Sequence, residues 1–60
     1  MNLPTYIKTI GEQAASRLFG VSVYTVRSWR SGSRQPRPSK AREIVEATGG
    51  KLTLERIYSE

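Results

Sequence analysis

The chain has 60 residues, a net charge of +5, and neither Cys nor His. A chain of this length forms one small domain that buries only about 60% of the surface exposed by the unfolded chain. The missing residue types exclude disulfides, zinc sites with the usual ligands, and catalysis by Cys or His. We therefore expect a single domain over residues 1–60, with no metal and no cofactor.

The acidic and basic residues are unevenly distributed. All five acids are Glu, and none lies between Gln13 and Arg42. The same stretch contains seven basic residues: Arg17, Arg27, Arg30, Arg34, Arg37, Lys40 and Arg42. A polyanionic partner is the simplest explanation of this asymmetry, and a solvated basic surface that only aids solubility is the alternative.

The first predicted helix spans about residues 3–10. Asn2 is a favourable N-cap residue, and Pro4 is tolerated in the first turn. Tyr6, Ile7 and Ile10 form its apolar stripe, and the following Gly11 ends it. We interpret this helix as scaffold.

A second helix is predicted at about residues 12–19. Ala15, Leu18 and Phe19 have the spacing of one helical face. Glu12, near its start, is favourable at the positive end of the helix dipole. Gly20 follows at the position where a left-handed conformation commonly ends a helix.

A third helix is predicted at about residues 23–30, with Ser22 as its N-cap. Val26 and Trp29 are three residues apart and are expected to pack against the second helix. We interpret Trp29 as a core residue rather than a base-stacking one. Polar, aromatic and basic side chains remain on the other face, which suits insertion into a DNA major groove.

The residues that follow are expected to form a loop at 31–38 and a fourth helix at about 39–48. Gly and two Pro break the segment SGSRQPRP, and its arginines are candidates for phosphate contact. The fourth helix has an apolar stripe formed by Ala41, Ile44, Val45 and Thr48. Lys40 and Arg42 lie near its start, where positive charges interact unfavourably with the helix dipole. Contact with phosphate is one reason for basic residues at this position.

The tail allows two interpretations. Leu52 and Leu54 alternate as in a strand, whereas Leu54, Ile57 and Tyr58 are spaced as in a helix with Thr53 as its cap. We favour a short helix at about 54–58, because no other segment provides a partner strand. The apolar side chains either close the core or form dimer contacts, for which the candidates are Leu52, Leu54, Ile57 and Tyr58.

The segment FGVSVYTVRSWRSG, followed by a basic Pro-containing loop and KAREIVEATGG, resembles the helix-turn-helix of phage Cro and repressor proteins, in particular small all-helical Cro/YdaS-like regulators. Ser16 stands where that family often has Ala. The resemblance implies an all-α bundle of about five short helices and a dimeric repressor that reads a pseudo-palindromic operator in the cytoplasm of a bacterial host. Some Cro proteins have a β-hairpin in place of the last helices.

Carried over to this chain, the resemblance gives six positions that contact bases: Ser22, Val23, Tyr24, Arg27, Ser28 and Ser31. Arg27 is the best candidate reader, because a guanidinium donates twice to guanine O6 and N7. The candidate phosphate contacts are Gln13, Arg17, Arg30, Arg34, Arg37 and Lys40. Two copies of the module about one helical turn (roughly 34 Å) apart would read two half-sites, so we expect a weak homodimer on double-stranded DNA.

Three other functions remain to be compared. An excisionase or MerR-like architectural protein also begins with such a segment, but it requires a β-hairpin wing after residue 31. An antitoxin or anti-repressor module would use the apolar tail as a protein-binding surface. An enzyme is not expected, because no acid–base pair or metal cluster is present in the sequence, and we expect no small-molecule substrate. No apolar run approaches the roughly 20 residues of a membrane span, and MNLPTYIK lacks a signal-peptide core, so we expect no membrane partner.

Overall fold

Five α-helices follow one another in the computed structural model, which describes residues 1–58. They are α1 (Leu3–Ile10), α2 (Glu12–Phe19), α3 (Val23–Ser31), α4 (Pro38–Ala47) and α5 (Leu54–Tyr58). The all-α prediction is confirmed. Residues 1–58 contain no strand, so the tail forms the helix that we favoured. The last two residues of the expected domain lie outside the described part of the chain. None of the helices in that part is long and apolar enough to cross a membrane.

Local capping signals set the starts of α1 and α3. The Asn2 Oδ1 atom accepts a hydrogen bond from the Thr5 backbone N–H at 2.9 Å. The Ser22 Oγ atom accepts one from the Thr25 N–H at 3.2 Å. Each bond satisfies a backbone donor that the first turn of a helix leaves free. These two predicted N-caps are confirmed, as is that at Thr53, whose Oγ1 atom accepts from the Arg56 N–H at 3.3 Å.

Gly20 ends α2 in the left-handed conformation, with φ +66° and ψ 36°. A side chain would be strained at this φ although nothing lies within 4 Å of its Cβ position, so the glycine is required by its backbone and not by lack of space. The next backbone N–H, that of Val21, donates to the Ser16 carbonyl at 3.1 Å. The chain is thus turned sharply between α2 and α3, as the sequence predicts.

Three helix boundaries differ from the prediction, each by one residue. Helix α3 extends to Ser31, one residue further, and α4 covers Pro38–Ala47 where we expected 39–48. The prediction treats Pro38 as a helix breaker, but its fixed φ and its missing N–H suit the first position of a helix. The connection between α3 and α4 is therefore residues 32–37, which we call the basic loop, and not residues 31–38.

All five helices contribute side chains to one core. Phe19 links α1, α2 and α3, because its ring centroid lies 6.3 Å from that of Tyr6 and 6.2 Å from that of Trp29. Trp29 is only 6% exposed, which confirms its interpretation as a core residue. Ten apolar side chains are buried in this core: Leu3, Ile7, Ala15, Phe19, Val26, Trp29, Ala41, Ile44, Leu52 and Ile57.

One residue of the predicted apolar face of α2 is not in the core. Ala15 and Phe19, four residues apart, are buried, but Leu18 is 42% exposed. The contacts of α2 with α1, α3 and α4 thus cover the line through Ala15 and Phe19, and Leu18 lies beyond its edge. The three residues share one helical face, as predicted, but only Ala15 and Phe19 of that face are buried.

The tail divides its apolar residues between core and surface. Leu52 and Ile57 are 0% and 3% exposed, so they close the core and are not available to a second chain. We therefore remove both from the candidate dimer contacts. Leu54 and Tyr58 remain at the surface, 46% and 37% exposed. The Tyr58 hydroxyl donates to the Pro36 carbonyl at 2.8 Å, which attaches α5 to the basic loop.

Candidate nucleic-acid interface

Helix α3 has one buried face and one accessible face. Val26 and Trp29 are buried, and they fix the orientation of the helix against the core. The opposite side, which we call the outer face of α3, consists of Val23, Tyr24, Arg27, Ser28 and Ser31. Of these, Tyr24, Arg27 and Ser31 are exposed, and Val23 and Ser28 are half-buried. The capping Ser22 is exposed beside them.

Tyr24 and Arg27 stand next to each other on the outer face. Tyr24 is 77% exposed, the highest value among the large apolar side chains. The Cζ atom of Arg27 lies 5.8 Å from the centroid of the Tyr24 ring. At this distance the guanidinium is attracted to the ring face. The aromatic ring therefore supports the arginine that we predicted as the base reader.

The serines of the outer face are hydrogen-bonded within their own helix. The Ser28 hydroxyl donates to the Tyr24 carbonyl at 3.1 Å, and the Ser31 hydroxyl donates to the Ser28 carbonyl at 3.1 Å. Each hydroxyl has one proton and two acceptor lone pairs. In this arrangement Ser28 offers an acceptor to a partner, which matches the exocyclic amino groups of adenine and cytosine. The Ser31 Oγ atom already accepts from the Ser33 N–H at 3.5 Å.

Glu12, at the start of α2, forms ion pairs with two arginines of α3. Its Oε1 atom accepts from Arg27 Nε at 3.1 Å, and its Oε2 atom accepts from Arg30 Nη1 at 2.7 Å. Hydrogen bonds from Arg30 and Arg27 hold the pKa of Glu12 below its ordinary value. The carboxylate is therefore ionised at neutral pH and joins the two helices of the motif.

The sequence pointed only to a helix-dipole role for Glu12. Its partners are 15 and 18 residues away along the chain, so no helical spacing rule relates them. The available signal was the position of Glu12 directly before the acid-free stretch that contains both arginines.

Arg34 and Arg37 extend from the basic loop. Both are exposed, and neither side chain forms an ion pair or hydrogen bond with any group in residues 1–58. Together with Thr25 of α3 they line one shallow concavity. Arg27 and Arg30 line another with Lys8 and Glu12. The predicted phosphate-binding arginines are thus placed on two sides of α3. Gln13 and Arg17 are exposed on α2.

Lys40 has an intramolecular role that the sequence did not reveal. Its Nζ atom donates to the Phe19 carbonyl at 3.3 Å and pairs with Glu43 Oε2 at 3.1 Å. A cation is favourable at the carbonyl end of α2, where backbone acceptors lack helical partners. This contact explains the lysine near the start of α4 without a phosphate, so we leave Lys40 out of the phosphate contacts proposed below.

Comparisons with protein-family models, with curated proteins and with solved structures gave no match for this chain. Residues 1–58 contain no group of three or more acidic, His or Cys side chains that could hold a metal ion. We therefore infer function from the geometry and charge of α2, α3 and the basic loop.

Proposed function

We propose that the protein binds double-stranded DNA sequence-specifically as a transcriptional regulator of the Cro repressor type, with α3 in the major groove. One observation carries this proposal. Val26 and Trp29 anchor one side of α3 in the core, while the other side presents Tyr24 and Arg27 to solvent. A major groove about 12 Å wide admits a helix held in this way, and arginine is its commonest specific reader of guanine.

The charge distribution supports the same proposal. Arg34 and Arg37 lie beside α3 without an intramolecular partner among residues 1–58. Phosphate contacts of this kind set the register of a protein on DNA and carry no sequence information themselves. Arg30 is left out together with Lys40, because its Nη1 atom is paired with Glu12 at 2.7 Å. The proposed phosphate contacts are therefore the remaining predicted ones: Gln13, Arg17, Arg34 and Arg37.

One copy of α3 reads only a few base pairs, so we propose a weak homodimer that forms on a pseudo-palindromic operator. Half-sites one helical turn apart would present two outer faces to successive stretches of the major groove. Leu54 and Tyr58 are the predicted apolar dimer contacts that are exposed in the tail. The bacterial cytoplasm is the compartment that this function requires.

The two alternatives have weaker support. An excisionase or MerR-like protein needs a β-hairpin wing after α3, whereas residues 32–58 contain two helices and no strand. An antitoxin or anti-repressor module would bind protein through the tail, but Leu52 and Ile57 are buried there. The apolar surface that the tail retains at Leu54 and Tyr58 is small.

The proposal is tested by selecting binding sites for the purified protein from random duplex DNA at near-physiological salt. We expect enrichment of an inverted repeat whose half-sites are about one helical turn apart. Enriched direct repeats would favour the excisionase alternative. Salt-sensitive binding without enrichment would overturn the proposal and direct the search to a protein partner.

A further inference from the structure

The two arginines of α3 contact Glu12 through different atoms. Arg27 uses Nε, so its two terminal amino groups have no hydrogen bond within residues 1–58. Arg30 uses one of its terminal amino groups, Nη1, at the shorter distance of 2.7 Å. A pair of N–H groups is what a bidentate contact with guanine requires. Glu12 therefore restrains the Arg27 guanidinium at its inner edge and leaves its outer edge available.

We propose that Glu12 is a specificity-determining residue of the DNA interface. This inference rests on the proposed function. Glu12 positions Arg27 for a base, and its negative charge disfavours the approach of phosphates to Arg27 and Arg30. Non-specific DNA presents no matching base to Arg27, so this charge lowers its affinity. A specific site regains affinity through the oriented contact between Arg27 and its base. Arg30 keeps the carboxylate in place.

A role of Glu12 in folding alone would not produce this effect. The side chains of Arg27 and Arg30 are 57% and 47% exposed, and that of Glu12 is 23% exposed. Ion pairs at such accessible positions contribute little to the stability of a fold. Removing the charge of Glu12 should therefore leave the helices intact and change the interface, which permits a binding test.

The test compares Glu12→Gln with Glu43→Gln, which removes the same charge from a carboxylate paired to Lys40 on α4. Dissociation constants are measured for the selected site and for a scrambled duplex of equal length and composition, at several salt concentrations. For Glu12→Gln we expect tighter binding to the scrambled duplex. The ratio of the two affinities should fall about fivefold or more, the lower limit for one bidentate base contact. The salt slope on scrambled DNA should steepen by about 0.9 if Arg30 gains a phosphate.

Glu12→Asp separates charge from positioning. It keeps the negative charge but shortens the side chain by one methylene, so binding to scrambled DNA should stay near wild type while binding to the selected site weakens. Circular dichroism and thermal unfolding verify that each variant is folded.

The inference is overturned if Glu12→Gln and Glu12→Asp both keep the wild-type affinity ratio, or if Glu43→Gln lowers that ratio equally, because net charge alone would then explain the change. Failure of the proposed function is a different result, in which the wild-type protein itself selects no site.

Discussion

The arginines of α3 and those of the basic loop have the same charge, but only the arginines of α3 are restrained by ion pairs. Glu12 holds Arg27 and Arg30 by ion pairs of 3.1 and 2.7 Å. Arg34 and Arg37 have no such partner within residues 1–58. A restrained guanidinium loses less freedom when it meets a base edge, so it suits discrimination, whereas a free one suits the sequence-independent contact with phosphate. Position in the fold, and not residue type, separates the two roles.

Replacement of Trp29 by Ala is expected to disturb both α3 and the basic loop. Trp29 anchors α3 in the core and also lines the concavity beside the loop. We expect a loss of about 3–5 kcal/mol in the free energy of unfolding, from lost burial and the cavity left behind. Urea denaturation measures it. Leu18→Ala, at a position 42% exposed on α2, is the control and should change stability by about 0.5 kcal/mol or less. Equal losses in the two variants would contradict this account of the core.

Arg27→Ala tests the restrained arginines of α3. We expect a loss of about 1–3 kcal/mol in binding to the selected site and a relaxed preference at one base pair. Binding-site selection repeated with the variant measures both effects. Arg42→Ala is a matched control, since Arg42 is exposed on α4 and outside the proposed contacts. A uniform loss of affinity for every sequence would show that Arg27 is not a base reader.

Arg34→Ala tests the unrestrained arginines of the basic loop. Because a phosphate contact has no sequence preference, we expect binding to weaken similarly for selected and scrambled DNA. The slope of the logarithm of affinity against the logarithm of salt concentration should become shallower by about 0.9, the value for one phosphate. If Arg34→Ala instead changed the preferred bases, the contrast between loop and helix would be wrong.

Lowering the pH is expected to have the smallest of these effects. Protonation of Glu12 would remove its ion pairs and leave Arg27 and Arg30 as unrestrained as the arginines of the basic loop. Its folded-state pKa is lowered from the ordinary value of 4.5. The stability from its ion pairs is therefore present above pH 4.5 and lost as the pH falls through the lower folded value. The difference in thermal midpoint between wild type and Glu12→Gln should be small at neutral pH and shrink in acid. A difference that does not change with pH would exclude the ion pairs as its source.

The features that could be predicted from sequence act over a few residues. Asn2 and Ser22 bond to backbone groups three positions away, and Gly20 changes the direction of the chain at its own φ angle. Helical spacing then identified Val26 and Trp29 as the buried side of α3, which left the outer face by elimination. These signals are contained in short windows, so the five helices and their bounds followed closely.

The features that sequence reasoning missed depend on which elements meet in space. Lys40 bonds to the Phe19 carbonyl 21 residues away, and Tyr58 bonds to the Pro36 carbonyl 22 residues away. The periodicity of the tail likewise could not separate buried Ile57 from exposed Leu54, because both fit one helical stripe. Such partners are set by the angles between helices, which no spacing within one helix contains.

The burial of Trp29 has an optical consequence. It is the single tryptophan of the chain, it is 6% exposed, and its ring packs near Phe19 on the side of α3 away from the outer face. Indole emission shifts to longer wavelength when the ring meets water, so an unlabelled sample reports opening of its core directly. The other chromophores of this kind are three tyrosines, so the tryptophan alone reports on a single site.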